Sequence, residues 1–190
     1  MEIIVVATKK RKALIQTYLA GLSYKMSYSE DYNLPKDFNP SVAGATYNHL
    51  GTYRCFKGHQ EALSKIEEDY ALILEDDAVP NVSNWFDEIE KFVPLLQEFD
   101  IVSLHGRGYI KDLFKPVASD QRFLQLAQNR AWIVAALAYL VKKESVASLL
   151  QNQYNGTPWD LILYQNYSFC VLENSIFNHD RSEGSLVDAR

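Results

Sequence analysis

Cysteine is scarce in this chain. Cys55 and Cys170 are the only two in 190 residues, too few for a disulfide framework and without the spacing of a metal finger. That usage suits a reducing compartment. Long apolar runs are also missing. The longest, Ala131 to Val141, falls far short of the ~20 residues that span a bilayer. The N-terminus, Met-Glu-Ile-Ile-Val-Val-Ala, lacks the basic start and longer apolar stretch of a secretory signal. The expectation is a cytoplasmic protein without a transmembrane segment, with at most a peripheral contact at the inner membrane. Positive charge is in short supply as well. The net charge is −5, so no global field draws the chain to duplex nucleic acid or anionic lipid, and a nucleic-acid partner is disfavoured. Lys9-Lys10-Arg11-Lys12 is the local exception.

What is present fits one α/β domain, with 47% of residues hydrophobic and enough length to bury a substantial core. Ile3–Ala7 and Tyr70–Leu74 are short, largely β-branched or aliphatic runs of the kind that form buried strands. Lys9–Ala20 has helical spacing and a stop at Gly21. Leu50–Glu68 and Ser83–Phe92 read as helices, the latter ended or bent by Pro94. Residues 21–48 show no period and read as a long loop, as does His105–Ser119. Asp100–Leu104, Phe123–Ala127, Trp132–Val141 and Ser168–Leu172 are expected strands, and Glu144–Asn152 a helix. Thr157-Pro158-Trp159-Asp160 has the order of a helix start. From Glu173 the chain reads as a polar tail, residues 173–190 of a single 1–190 domain. No internal repeat or low-complexity segment is found.

The most informative stretch is Glu75-Asp76-Asp77, which abuts the apolar run Ala71–Leu74. In open α/β sheets ligands bind beyond the carboxyl ends of strands. Adjacent carboxylates there repel one another unless a cation sits among them, and Mn²⁺ or Mg²⁺ prefers such hard oxygen ligands. In extended backbone Glu75 and Asp77 face one side and Asp76 the other. A solvated turn or a helix cap is the ordinary alternative for any single acid here.

Ala71-Leu72-Ile73-Leu74-Glu75-Asp76-Asp77-Ala78 resembles the signature of glycosyltransferase family 25, which includes lipooligosaccharide and collagen galactosyltransferases. Cys55 and His59 keep the spacing of an upstream helical element of that family. Gly58 stands before the histidine, and Arg54 at the family's glycine position. Asp100–Leu104, Ala138–Val141 and Pro158-Trp159-Asp160 resemble its later strands and its Pro-x-Asp element. Ala7-Thr8 departs from the Asn-Leu pair with which the family's first strand normally ends. The resemblance implies a single-domain GT-A-like (Rossmann-like) α/β fold, a mixed sheet flanked by helices. It also implies a nucleotide-sugar donor such as a UDP-sugar, Mn²⁺ or Mg²⁺, and transfer of a hexose with inversion to a glycan or other hydroxyl acceptor. A protein side chain or a modified nucleobase stays open as acceptor.

On that reading Asp77 holds the metal with Asp76 and His179. Thr8, Lys9, Arg11, Glu75 and Asp76 face the donor. Asp160 is the general base, since inversion by direct displacement needs a carboxylate near the attacking hydroxyl. Each has a structural alternative: Asp160 as a helix cap, His179 as a solvated tail residue, the basic cluster as a solvated surface. His59 falls toward an apolar stripe and reads as a satisfied core histidine. His49 and His105 have no partner pattern. Tyr24, Tyr28, Tyr32, Tyr47 and Tyr109 are loop aromatics able to stack on a sugar or a base. Two other functions remain open at this level, a metal-dependent phosphoryl-transfer hydrolase and a non-catalytic nucleotide- or sugar-binding relative.

Overall fold

The two apolar runs read as buried strands lie side by side in the centre of the molecule. A computed structural model describes residues 1–38, 49–105, 114–126 and 136–180. Its strands are β1 (Glu2–Ala7), β2 (Lys25–Tyr28), β3 (Tyr70–Glu75), β4 (Ala78–Pro80), β5 (Ile101–Ser103), β6 (Phe114–Pro116), β7 (Phe123–Leu126), β8 (Ala138–Lys142), β9 (Phe169–Leu172) and β10 (Phe177–His179). The α-helices are α1 (Lys12–Tyr18), α2 (His49–Ser64), α3 (Trp85–Glu90), α4 (Lys143–Leu150) and α5 (Trp159–Asn166). Among the described residues eight strands form one mixed sheet in the order β2-β1-β3-β8-β5-β9-β7-β6, and β4 and β10 pair separately. β1 runs parallel to β2 and β3, and β5 parallel to β9, while β8 runs antiparallel between β3 and β5. This is the α/β mixed sheet flanked by helices that the sequence led us to expect.

Alternation explains why the central strands are apolar throughout. Ile3, Val5, Ala7, Leu72 and Leu74 join one core cluster with Ile15 of α1 and Trp85 and Ile89 of α3. Ile4, Val6, Ala71 and Ile73 join the other, with Phe56 and Leu63 of α2, Leu149 of α4 and Trp159 and Leu163 of α5. A strand covered on both faces has no side to leave polar. Each such fully buried aliphatic contributes roughly 1.5–3 kcal/mol by leaving water. Both cores therefore hold β1 and β3 rigidly, and the residues at their carboxyl ends inherit that rigidity.

Four segments depart from expectation. The stretch read as a loop over 21–48 contains β2, whose register on β1 pairs Ile4 with Lys25 and Ala7 with Tyr28. Four residues on a sheet edge, three half-buried and Ser27 fully buried, carry no period, and the pairing with β1 supplies the order. The expected Lys9–Ala20 helix opens as a 3₁₀ turn over Lys9–Arg11, and α1 ends at Tyr18 before Gly21 at φ +83°. Within His105–Ser119, Phe114–Pro116 is an edge strand, where proline is tolerated; 106–113 lie outside the described residues. The polar tail contains β10, with Phe177 fully buried. Of the expected Trp132–Val141 strand, residues 132–135 also lie outside the described residues.

Gly58 sets how closely α2 lies on the sheet. A Cβ there would stand 2.7 Å from Val6 Cγ1 and 2.9 Å from Ser29 Cβ, closer than side-chain carbons pack. Gly58→Ala is therefore expected to lower the unfolding free energy by about 1–3 kcal/mol through overpacking. Urea denaturation of the two proteins checks this, and an unchanged midpoint would show that α2 has room to move.

Candidate active site

The carboxyl ends of the parallel strands β1, β3 and β5 lie on one edge of the sheet, and the acidic triplet ends β3 there. Glu75, the last residue of β3, continues the side that holds Ala71 and Ile73 and so turns to α2. Asp76 and Asp77 form a tight turn into β4. The turn ends the extended alternation on which Glu75 and Asp77 were expected to share a side. Asp76 and Asp77 instead share the Arg11 guanidinium, 3.9 Å from a carboxylate oxygen of each.

Asp76 is anchored to β1. Its Oδ2 accepts from the Thr8 amide at 2.6 Å and from the Thr8 hydroxyl at 2.9 Å, and its backbone carbonyl accepts from Tyr18 Oη at 3.1 Å. Burial nevertheless raises its carboxyl to about 6, against the lowering effect of the two Thr8 hydrogen bonds. Asp77 is buried and receives His179 Nε2 on Oδ2 at 2.6 Å. The β4–β10 ribbon makes that contact, setting His179 opposite Ala78 while the Asp180 amide donates to the Asp77 carbonyl. Asp77 Oδ1 is buried and has no hydrogen-bond partner. Burial raises the Asp77 carboxyl, and the charge of Glu75 adds to the rise. An unpaired buried acceptor costs about 1–3 kcal/mol. Two clustered carboxylates with only the Arg11 guanidinium nearby, one of them with a bare buried oxygen, are chemically suited to a divalent cation, so the residues present fit the metal that the resemblance implies.

Glu75 belongs to a second group. Trp159 Nε1–H, which can only donate, reaches Tyr139 Oη at 3.2 Å. Tyr139 then has its own proton for His59 Nδ1 at 3.0 Å, and His59 Nε2–H donates to Glu75 Oε1 at 3.1 Å. His59 is fully buried and stacks on Trp159 with the ring planes 9° apart. This is the satisfied core histidine expected from its apolar stripe. Burial acts to raise Glu75, but the His59 hydrogen bond and the nearby His59 and His179 rings hold it below its ordinary value. Asp160 feels Glu75 as well. Burial and that neighbouring charge raise Asp160 to about 7.

Asp160 does not close a capping box. Its Oδ1 accepts from the Leu161 amide at 3.1 Å, and the Thr157 amide donates to Asn155 instead. Pro158, at the N-cap of α5, offers no side-chain cap. Lys9 points away from the acidic turn: its ammonium lies 2.7 Å from Asp31 and its amide donates to Glu30. Of the expected donor and metal residues, the structure brings together Thr8, Arg11, Asp76, Asp77 and His179, pairs Glu75 with His59, and leaves Asp160 under the influence of the Glu75 charge. His105 Nδ1 pairs with the Phe177 carbonyl, which ties β5 to β10. Tyr24 packs on the core, Tyr28 lies under the Lys9 ammonium, and Tyr32 donates to Glu61. Tyr47 and Tyr109 lie outside the described residues. Tyr18, Tyr139 and Trp159 escaped the sequence reading as site residues. Only the place of Tyr139 and Trp159 at the start of apolar elements hinted at burial beside the triplet.

No family model matches the chain, and no curated protein sequence matches it. Among solved structures, S. aureus TarS 1-349 matches at a TM-score of 0.50 with 12% identity, over 93% of this chain and 59% of that one. The chain thus spans less than two thirds of TarS 1-349. A glycosyltransferase involved in glycosylation of the major capsid of PBCV-1 matches at 0.46 and 16%, over 87% of this chain and 76% of that one. HddC from Yersinia pseudotuberculosis matches at 0.44 and 11%, over 90% and 69%. At such identities the likeness is one of fold, a GT-A-type α/β sheet. No described helix is long and apolar enough to cross a membrane.

The raised Asp160 carboxyl has a consequence for stability. Between its ordinary value near 3.8 and its folded value near 7, the folded state holds a proton that the unfolded state has lost. Stability therefore falls as pH rises through that window. Asp160→Asn is expected to raise the unfolding midpoint progressively from pH 4 to pH 7 and by a constant amount above it. Thermal melts of both proteins across this range check the trend, and a pH-independent difference would contradict the assignment.

Proposed function

We propose that the chain is a nucleotide-sugar-dependent glycosyltransferase. It takes a hexose from a UDP-type diphosphate donor and passes it with inversion to a hydroxyl acceptor, a surface glycan in the first instance. One observation carries this reading. At the end of β3 in a GT-A-type sheet, the buried Asp77 Oδ1 stands without a partner, with Asp76, His179 and Arg11 around the same carboxylate. Asp77 is the primary ligand for Mn²⁺ or Mg²⁺, flanked by Asp76 and His179. A divalent ion bound there stabilises the negative charge that develops on the leaving diphosphate. The resemblance of Ala71–Ala78 and Pro158–Asp160 to glycosyltransferase family 25 supports the same reading.

The chain's own residues divide the remaining work. Thr8 fixes the Asp76 carboxylate through its amide and hydroxyl, so the turn that presents Asp77 is held before any ligand arrives. Arg11 is buried beside both acids, a fixed positive charge where a diphosphate would lie and one that needs no reorganisation during reaction. His179 holds Asp77 Oδ2 and leaves Oδ1 without a partner. Asp160 takes the acceptor proton. A carboxylate titrating near 7 is well matched to that task, because it is substantially ionised at neutral pH yet basic enough to accept a proton.

Two measurements test this reading. Thermal shifts with UDP, UDP-galactose, UDP-glucose, UDP-GlcNAc, GDP-mannose and CMP-sialic acid, each with Mn²⁺ and with EDTA, are expected to show a manganese-dependent rise with one donor. That rise disappears in Asp77→Ala; an equal rise in EDTA would favour a nucleotide-binding module without metal chemistry. With donor and acceptor in hand, kcat/KM is expected to climb with pH through about 7, as Asp160 ionises. Asp160→Asn should reduce kcat by about 10²–10⁴-fold while donor binding persists. Phosphate release from the donor without any acceptor would instead point to a hydrolase.

A further inference from the structure

Cys55 and His59 stand one helical turn apart on α2, and Glu75 ends the neighbouring strand. Three different metal-ligating groups therefore converge from two elements held rigid by the core. Glu75 Oε1 lies 3.1 Å from His59 Nε2 and 3.6 Å from the Cys55 sulfur, and all three donor atoms lie within 4.8 Å of one another. Four-coordinate zinc, with ligands at about 2.0–2.3 Å, needs its donors about 3.4–3.6 Å apart. Two of the three edges already match to within a few tenths of an ångström, and the third closes by small side-chain movement. We propose that Cys55, His59 and Glu75 form a site for a thiophilic divalent cation of zinc type, distinct from the Asp77 cluster and independent of the transferase reading.

The surroundings are those such a site needs. A metal-binding histidine is oriented through its other ring nitrogen, and here Tyr139 Oη sits on Nδ1, itself anchored by Trp159. Thiolate and imidazole select zinc-class ions, whereas the all-oxygen donors at Asp77 suit Mn²⁺ or Mg²⁺. Glu75 keeps 26% of its side-chain surface exposed, which gives an ion a way in, and three ligands leave the fourth position for water. On binding, the thiol proton passes to solvent and the sulfur donates its electron pair to the ion. His59 moves its ring proton from Nε2 to Nδ1, where the Tyr139 oxygen accepts it and the Tyr139 hydroxyl hydrogen turns away from the ring. The ion would clamp α2 to β3 and remove negative charge from beside Asp160, so occupancy of this site acts against proton removal there.

Cobalt titration tests the site without relying on activity. Added to the full chain after chelator dialysis, Co²⁺ is expected to produce a thiolate-to-cobalt absorption band that saturates at one equivalent and is displaced by Zn²⁺. Cys170→Ser keeps the band and Cys55→Ser loses it. Because the chain has only these two cysteines, the Cys170→Ser result alone assigns the sulfur even where Cys55→Ser folds poorly. Tyr139→Phe weakens cobalt binding about 10-fold or more by removing the hydroxyl that orients His59. Asp77→Ala keeps the band, which separates this site from the donor-side metal whether or not the transferase reading holds. Absence of the band in the unmodified chain, its loss in Cys170→Ser, or its loss in Asp77→Ala would each overturn the proposal.

Discussion

The carboxylate of Asp77 is buried at the end of a strand that both cores lock in place, and the surrounding structure is arranged around that charge. A buried carboxylate is tolerated only when hydrogen bonds and opposite charge replace the lost water. His179 meets one oxygen and Arg11 approaches the same one, while the other oxygen is left bare. Three distant parts of the chain must therefore arrive together: the turn after β1, the acidic turn after β3, and the β10 strand near the C-terminus. Thr8, through its two hydrogen bonds to Asp76, couples the first two. The Asp180 amide, through the Asp77 carbonyl, and the Arg11 guanidinium, through the Asp180 carbonyl, tie in the third.

The three acids of the triplet are separated by this arrangement and perform different tasks. Strand alternation sends Glu75 to the α2 side, where the Trp159–Tyr139–His59 chain of donors keeps it ionised. Asp76 faces β1 and acts as a brace. Asp77, carried round by the turn, is the one whose bonding is incomplete. Asp160, on α5, feels Glu75 across the second core and is raised by it. Carboxylates with unequal environments in one region are the condition under which one can act as a base while another binds a cation.

Much of this was legible in the sequence, for identifiable reasons. Ile3–Ala7 and Tyr70–Leu74 are apolar at every position because each strand is covered on both faces, and that pattern marked the sheet centre and hence the place of Glu75-Asp76-Asp77. His59 was recognisable as a core residue by its position on a helical stripe. The partners were harder to read. Lys9 and Arg11 are near neighbours of the same charge, yet the 3₁₀ turn buries Arg11 beside the acids and leaves Lys9 among Glu30 and Asp31. β2 and β10 are short, and tertiary pairing rather than periodicity gives them their order. Thr157 and Asp160 have capping-box spacing, but the Asn155 side chain takes the Thr157 amide and leaves Asp160 available for other work. Long-range contacts decide all these cases, and local pattern does not encode them.

The central claim is that Asp77 presents its bare oxygen to a divalent cation that a nucleoside diphosphate then shares. Electron paramagnetic resonance of Mn²⁺ tests it most directly, because the sharp signal of the free aqueous ion fades on binding. Titrating Mn²⁺ into the protein with and without UDP should show weak binding alone, markedly tighter binding with UDP, and loss of both in Asp77→Asn with the fold intact. Manganese binding of equal strength in Asp77→Asn, with the same tightening by UDP, would contradict the account and place the metal elsewhere.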